Sequence, residues 1–186
     1  MTVLLSLWLP ILLSAVLVFV ASSLVHMVLG YHAADWKRLP KEDALQDTLG
    51  TFQIPPGDYM LPWPTSAAHA QSDEFKARTN KGPVLVMTTW PAGPQRMTGS
   101  LVLWFLYAIV VGKICGLVAG TTIPPGADSH LVFHTVALVA FAAYSLALAQ
   151  HSIWYHRRWK TTLVSMLDGA GYALLTAGVF AWLWPA

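Results

Sequence analysis

The chain has 186 residues, of which 55% are apolar and 11% charged, with a mean hydropathy of +0.53 and a formal charge of +2. That composition excludes an ordinary water-soluble domain, in which about a quarter of residues are charged, and the small net charge argues against a nucleic-acid partner. Its one cysteine, Cys115, excludes an intramolecular disulfide.

The first apolar run extends from Val3 to Leu29. It lacks a basic leading segment and is too long for the apolar part of a secretion signal, so it reads as a retained membrane anchor, span 1. Residues 31–98 follow as a loop region with structure of its own, since so long a connection without structure is unusual in a compact protein. Within it "LPKEDALQDTLG" places acids early, Leu45 and Leu49 four apart and Gly50 at the end, which predicts a short amphipathic helix lying on the membrane surface. "IPPGDYMLPWP" reads as extended and turn-rich, "SAAHAQSDEFKARTNKG" as a polar helix ended by Gly82, and "PVLVMTTW" as a strand. A small sheet pairing Asp58 to Trp63 with Val84 to Trp90 is expected. Seven acids and seven bases make the region close to neutral, the pattern of a solvated surface.

Three further apolar runs follow: span 2 from Gly99 to Gly120, span 3 from Leu131 to Ala149, and span 4 from Leu163 to Trp184. Each is long enough for a hydrocarbon core, which takes roughly 20 residues, and must be helical because lipid cannot satisfy exposed backbone groups. Lys37, Arg38, Lys41 and Arg96 flank the long loop, and Arg157, Arg158 and Lys160 fill the connection between spans 3 and 4. The N-terminus, "TTIPPGADSH" and the C-terminus carry no Lys or Arg. The positive-inside bias therefore predicts a multi-pass inner (plasma) membrane protein with residues 31–98 cytoplasmic and both termini outside. The expected fold class is an all-α transmembrane four-helix bundle, spans 1–30 and 99–186, with a small mixed α/β extramembrane region between spans 1 and 2.

Polar groups inside the spans are the candidate functional residues, because they are expensive there. Lys113 sits in "VVGKICG", and Asp168 is the one acid within a span. Counted from the inner boundary at ~1.5 Å per residue, Asp168 lies about 8 Å deep and Lys113 about 21 Å deep. A polar contact between them needs Lys113 to lean toward its helix N-terminus. The alternatives are that Lys113 snorkels outward while Asp168 caps span 4, or that the two line a proton or ion pathway. Gly112, Gly116 and Gly120 on span 2, and Gly169, Ala173 and Ala177 on span 4, are spaced four apart, and these rows make span 4 the leading candidate for close packing with span 2.

The seven histidines fall in layers. His26, His32, His151 and His156 lie at the inner boundary, with Asp35 and Asp168 near the same level; of these, His26, His151 and Asp168 could line a pocket for a metal, a quinone headgroup or a haem. At the outer boundary, Asp128, His130 and His134 in "ADSHLVFH" are chemically capable of holding zinc or copper. The alternative there is that Asp128 or Ser129 caps the helix, His130 sits among headgroups and His134 bonds a neighbouring helix. No phosphate-cradling glycine loop, paired-cysteine zinc site or nucleophile elbow occurs in the chain, which leaves no catalytic residue to name and tilts the reading away from an enzyme.

The segments "VHMVLGYHAADWKRLPKEDAL", "PPGDYMLPWP" and "IWYHRRWKTTLVSMLDGAGYALLTAGVFAWLW" together resemble a group of small bacterial integral membrane proteins of unassigned function. The resemblance implies an architecture and transfers no catalytic residues. The expected role is an accessory, assembly or structural component of a membrane complex, with the lipid bilayer and other membrane subunits, or a second copy, as partners. The alternatives are a redox, metal or cofactor-binding protein using the inner His/Asp layer, and a small transporter or channel subunit built around Lys113 and Asp168.

Overall fold

The computed structural model describes residues 5–185. It contains four helices long and apolar enough to cross a membrane. Span 1 is α1, Trp8–Met27, followed by a 3-10 turn, Tyr31–Asp35. The loop region contributes α2 (Glu42–Thr51), β1 (Gly57–Leu61), α3 (Ala67–Gln71), α4 (Asp73–Lys81) and β2 (Leu85–Thr89). Span 2 is α5, Met97–Thr122. Span 3 is α6 (Ser129–Tyr144), a 3-10 turn over Leu146–Leu148 and α7 (Ala149–Tyr155); span 4 is α8, Trp159–Trp182.

The chain divides into two compact units, and the bundle unit comprises residues 1–37 and 96–186. In it, α1 packs on α5 and α8, and α6 packs on the same two helices, so the cyclic order is α1, α5, α6, α8. Small and β-branched residues fill the centre: Ala15 and Val18 of α1, Ala108, Val111, Cys115 and Ala119 of α5, Val132, Val136 and Ala140 of α6, and Ala173, Ala177 and Phe180 of α8. The outward faces are apolar too, with Leu138 71% and Leu167 72% exposed. Such surfaces are unfavourable in water and suited to lipid contact.

The cyclic order corrects one expectation about the glycine rows. A Cβ on Gly112 would meet the Ile11 carbonyl oxygen at 3.3 Å, and one on Gly116 would meet Ile11 Cδ1 at 3.4 Å. The row therefore faces α1, its neighbour in the ring, and α8 lies across the diagonal, reaching Gly116 only through Phe180. Gly169 of α8 faces α6 instead, where an added Cβ would overlap the Tyr144 carbonyl oxygen and lie 3.0 Å from Ser145 Cα.

Span 3 is broken where a single helix is expected. Ser145 leaves helical geometry (φ −121°, ψ −61°), and its hydroxyl donates to the Met166 carbonyl of α8 at 2.7 Å. Serine competes for backbone partners in this way, and the missing side chain at Gly169 lets the two backbones close at the break. Below it, Ser152 of α7 donates to the Thr162 hydroxyl of α8 at 2.8 Å.

The second unit, residues 38–95, contains the expected small sheet, an antiparallel β1–β2 pair in the register Gly57 opposite Thr89 and Leu61 opposite Leu85. Thr88 donates to the Asp58 carboxylate across it at 2.6 Å. The polar stretch expected as one helix is two, because the Ser72 hydroxyl accepts from Phe75 N–H at 3.1 Å and starts α4 afresh. Gly82, at φ +64°, ends α4. α2 runs one residue past Gly50.

Candidate functional site

A polar cluster is assembled where α1 ends. Gly30, at φ +66°, takes the left-handed conformation that stops α1. The chain then turns back, with Ala33 N–H bonded to the Gly30 carbonyl at 3.0 Å, and this carries Tyr31, His32 and Asp35 against α8. Asp168 is the hub. One of its oxygens accepts the Tyr31 hydroxyl, and the other faces His32 Nε2 at 2.8 Å. His32 Nδ1 faces an Asp35 oxygen at 2.6 Å. The side chains of His32, Asp168 and Asp35 are only 14%, 11% and 14% exposed. His26, in the last turn of α1, lies against His32 with the rings tilted by 41° and their centroids 4.4 Å apart.

Both nitrogens of His32 face carboxylate oxygens. A neutral imidazole has one N–H and would turn a lone pair toward the second carboxylate, so the arrangement requires the doubly protonated ring. Burial alone would lower the His32 pKa, but the hydrogen bonds and charges of Asp35 and Asp168 outweigh it and hold the group above its ordinary 6.5. For Tyr31, burial and the bond to Asp168 push the hydroxyl up to about 12, so it stays a donor.

Folding therefore binds a proton at His32. The resulting stabilisation is fully present below the ordinary value of 6.5 and is lost as pH rises through the elevated folded value. Melting temperatures of detergent-solubilised protein should fall as pH rises above 6.5, and His32→Gln should flatten that slope. An identical pH profile in the variant would refute the assignment.

Next to this cluster, the bundle surface opens into a cavity of about 590 Å³. His26, Asp168, Ser100 and Ser165 supply polar groups to its wall, and four aromatic rings supply much of the rest: Trp104 and Tyr107 of α5, Tyr144 of α6 and Tyr172 of α8. Trp104 stacks on Tyr107 with centroids 5.6 Å apart, and Tyr144 lies edge-on to Tyr107 at 5.8 Å and to Tyr172 at 6.1 Å. Two of the polar tips are engaged: Trp104 Nε1–H donates to Ser22 at 2.8 Å, and the Tyr107 hydroxyl donates to the Ala143 carbonyl at 2.8 Å. Tyr172 differs. The residue is 6% exposed and its buried hydroxyl has no hydrogen-bond partner among the described residues, an expensive condition for a buried polar atom.

Of the residues singled out from sequence, His26 and Asp168 meet in this cavity. His151 does not join them: Ser152 takes the buried face of α7 toward α8, and the neighbouring His151 is exposed with its ring against Tyr155 at 6.1 Å. Lys113 makes no ion pair among the described residues and is exposed. Gly112 faces α1 and α8 is diagonal to α5, so Lys113 points away from Asp168, whose oxygens are taken by Tyr31 and His32. At the opposite boundary Asp128 is turned to the backbone, accepting from His130 N–H at 2.8 Å, and His130 and His134 are exposed. No group of three metal-ligating side chains is assembled among the described residues. The partners His32 and Asp35 were visible as a His-x-x-Asp spacing at the right level, and Tyr172 as a residue four after Asp168 on the same face of α8. Tyr31 and the aromatics of α5 and α6 gave no such signal. No family model, curated protein or solved structure matches this chain.

Proposed function

We propose that this multi-pass membrane protein binds a small amphiphilic molecule in the cavity beside Asp168. The reading develops the cofactor-binding alternative and goes ahead of the accessory-component expectation because it draws on specific chemistry. The observation that carries it is a pocket of about 590 Å³, within the range of small-molecule sites, in which the Asp168 carboxylate and the His26 imidazole lie beside the rings of Trp104, Tyr107, Tyr144 and Tyr172. Two adjoining grooves supply room for a chain. One of about 310 Å³ shares His26, Ser100 and Trp104 with the cavity, and the next, about 360 Å³, shares Leu101 with that one and is lined by Phe19, Val102, Phe105 and Leu106. Polar groups thus gather at one end of the series and disappear at the other. Among the described residues His26 is the one histidine in the cavity wall, so axial ligation of a haem by two imidazoles draws no support from this geometry.

The test is photolabelling of the purified protein with a long-chain amphiphile bearing a diazirine near its head. Labels should concentrate on peptides containing residues 100–107 and 165–172. Labelling confined to lipid-facing leucines such as Leu138 would reject the proposal.

A further inference from the structure

With Asp168 engaged by Tyr31 and His32, Lys113 is left without a companion. It lies within a membrane-competent helix, is exposed, and makes no hydrogen bond or ion pair among the described residues. We propose that the side of α5 carrying Lys113 docks a membrane-spanning helix of another polypeptide, one that bears an aspartate or glutamate at the same depth.

Contacts with neighbouring helices fix that depth. A Cβ on Gly112, the preceding residue, would meet the Ile11 carbonyl oxygen of α1 at 3.3 Å. Cys115, two residues on, lies 4.0 Å through its sulfur from the Val136 carbonyl of α6. Lys113 is therefore level with packed segments of both neighbours. The nearer end of α5 is its C-terminal one, where Thr121 follows eight residues later, about 12 Å along the axis. Helix side chains lean toward the N-terminus, so Lys113 leans away from that boundary, and reaching the headgroups there works against its own geometry. A lysine left in hydrocarbon is expensive, and lipid tails offer its N–H groups no acceptor.

The surroundings of Lys113 suit a helix. Val110, Lys113, Ile114 and Leu117 are all exposed and stand at i, i+3, i+4 and i+7, one face of α5. Gly112, Cys115 and Gly116 are buried toward the bundle. An apolar face with one polar residue in it is a known way of fixing the partner and register of a helix pair, and polar side chains bond across helices in lipid. The charge chooses the partner. A backbone carbonyl of a docked helix is already hydrogen-bonded within that helix, whereas a carboxylate both accepts from the lysine and balances its charge. A second copy of this chain has no such group to give: Asp168 is the one acid within the spans, its side chain is 11% exposed, and its oxygens are taken. Lys113 lines neither the cavity beside Asp168 nor the two adjoining grooves, so this face and the ligand site stand or fall separately.

The test reconstitutes the full-length protein in phosphatidylcholine vesicles with synthetic leucine–alanine peptides long enough to span them. The peptides are dansyl-labelled, free of tryptophan, and carry glutamate, glutamine or leucine at one position near the middle. Association is read as energy transfer from the protein's tryptophans. The glutamate peptide should associate at least fivefold more tightly than the leucine peptide, with glutamine between them. Lys113→Met should bring all three to the level of the leucine peptide, and Lys113→Arg should preserve the order. Since Lys113 bonds to nothing in the bundle, the methionine variant should melt no lower than the parent, which separates lost docking from lost folding. A diazirine one turn from the glutamate should label the segment 106–117. Equal association of the three peptides with the parent protein would overturn the proposal and leave the amine to lipid phosphate. A glutamate preference that survives Lys113→Met, or labels on α6 or α8 instead, would overturn it too. Self-association of the protein that is lost in Lys113→Met, with no preference among the peptides, would give the face to a second copy and reject the acidic partner.

Discussion

Replacing Asp168 by alanine should lower the melting temperature of the detergent-solubilised protein by about 10 °C, the largest effect expected from any single polar side chain here. The substitution leaves an imidazolium facing one carboxylate instead of two, and removes the acceptor of the Tyr31 hydroxyl as well. Removing one member of a well-buried ion pair costs about 3–5 kcal/mol; side chains 14% and 11% exposed place this site toward the lower end. At about 2–4 °C per kcal/mol for a chain of this length, that gives the stated shift. His32→Ala should be of the same order, because it leaves the Asp35 and Asp168 carboxylates without their shared cation. The double variant should resemble Asp168→Ala rather than the sum of the two, and strict additivity would show that the pair does not interact.

Gly169→Ala should be of comparable severity for a different reason. Its Cβ would overlap the Tyr144 carbonyl oxygen, with the carbonyl carbon at 2.8 Å and Ser145 Cα at 3.0 Å. These are backbone atoms, so no rotamer change relieves the contact, and the break in span 3 must separate from α8. Overpacking of this kind costs about 3 kcal/mol, and because Tyr144 and Gly169 both line the cavity, ligand affinity should fall with stability. Gly171→Ala supplies the control: nothing lies within 4 Å of that position, and better helix propensity should leave the protein unchanged or up to about 1 kcal/mol more stable. Equal melting temperatures for the two variants would contradict the close approach at Tyr144.

These two residues also show how far the sequence could be read. The four spans were legible because unbroken apolar runs have one folded solution in lipid, and the β1–β2 pair was legible from a turn-rich extended segment and a β-branched run. The break at Ser145 was not. A serine in an apolar run reads as helix, and only the Met166 carbonyl and the bare Gly169 backbone on another helix draw it out. Small-residue rows announce a close approach without naming the partner, which depends on the order of helices around the ring. Asp168 stood out as an acid in a span. Opposite charge pointed to Lys113 as its companion, whereas its companions lie past the end of α1, brought back by the turn at Gly30. The grouping of Trp104, Tyr107, Tyr144 and Tyr172 combines three helices, and no local spacing encodes it.

The ring of helices has one more implication. α1 and α5 are neighbours in space although residues 38–95 separate them in the chain, and none of the residues that fill the bundle's centre comes from that stretch. The stretch is thus a cassette spliced in at a single seam between Lys37 and Arg96. The packing at the centre of the four rods therefore does not depend on the length or content of that stretch.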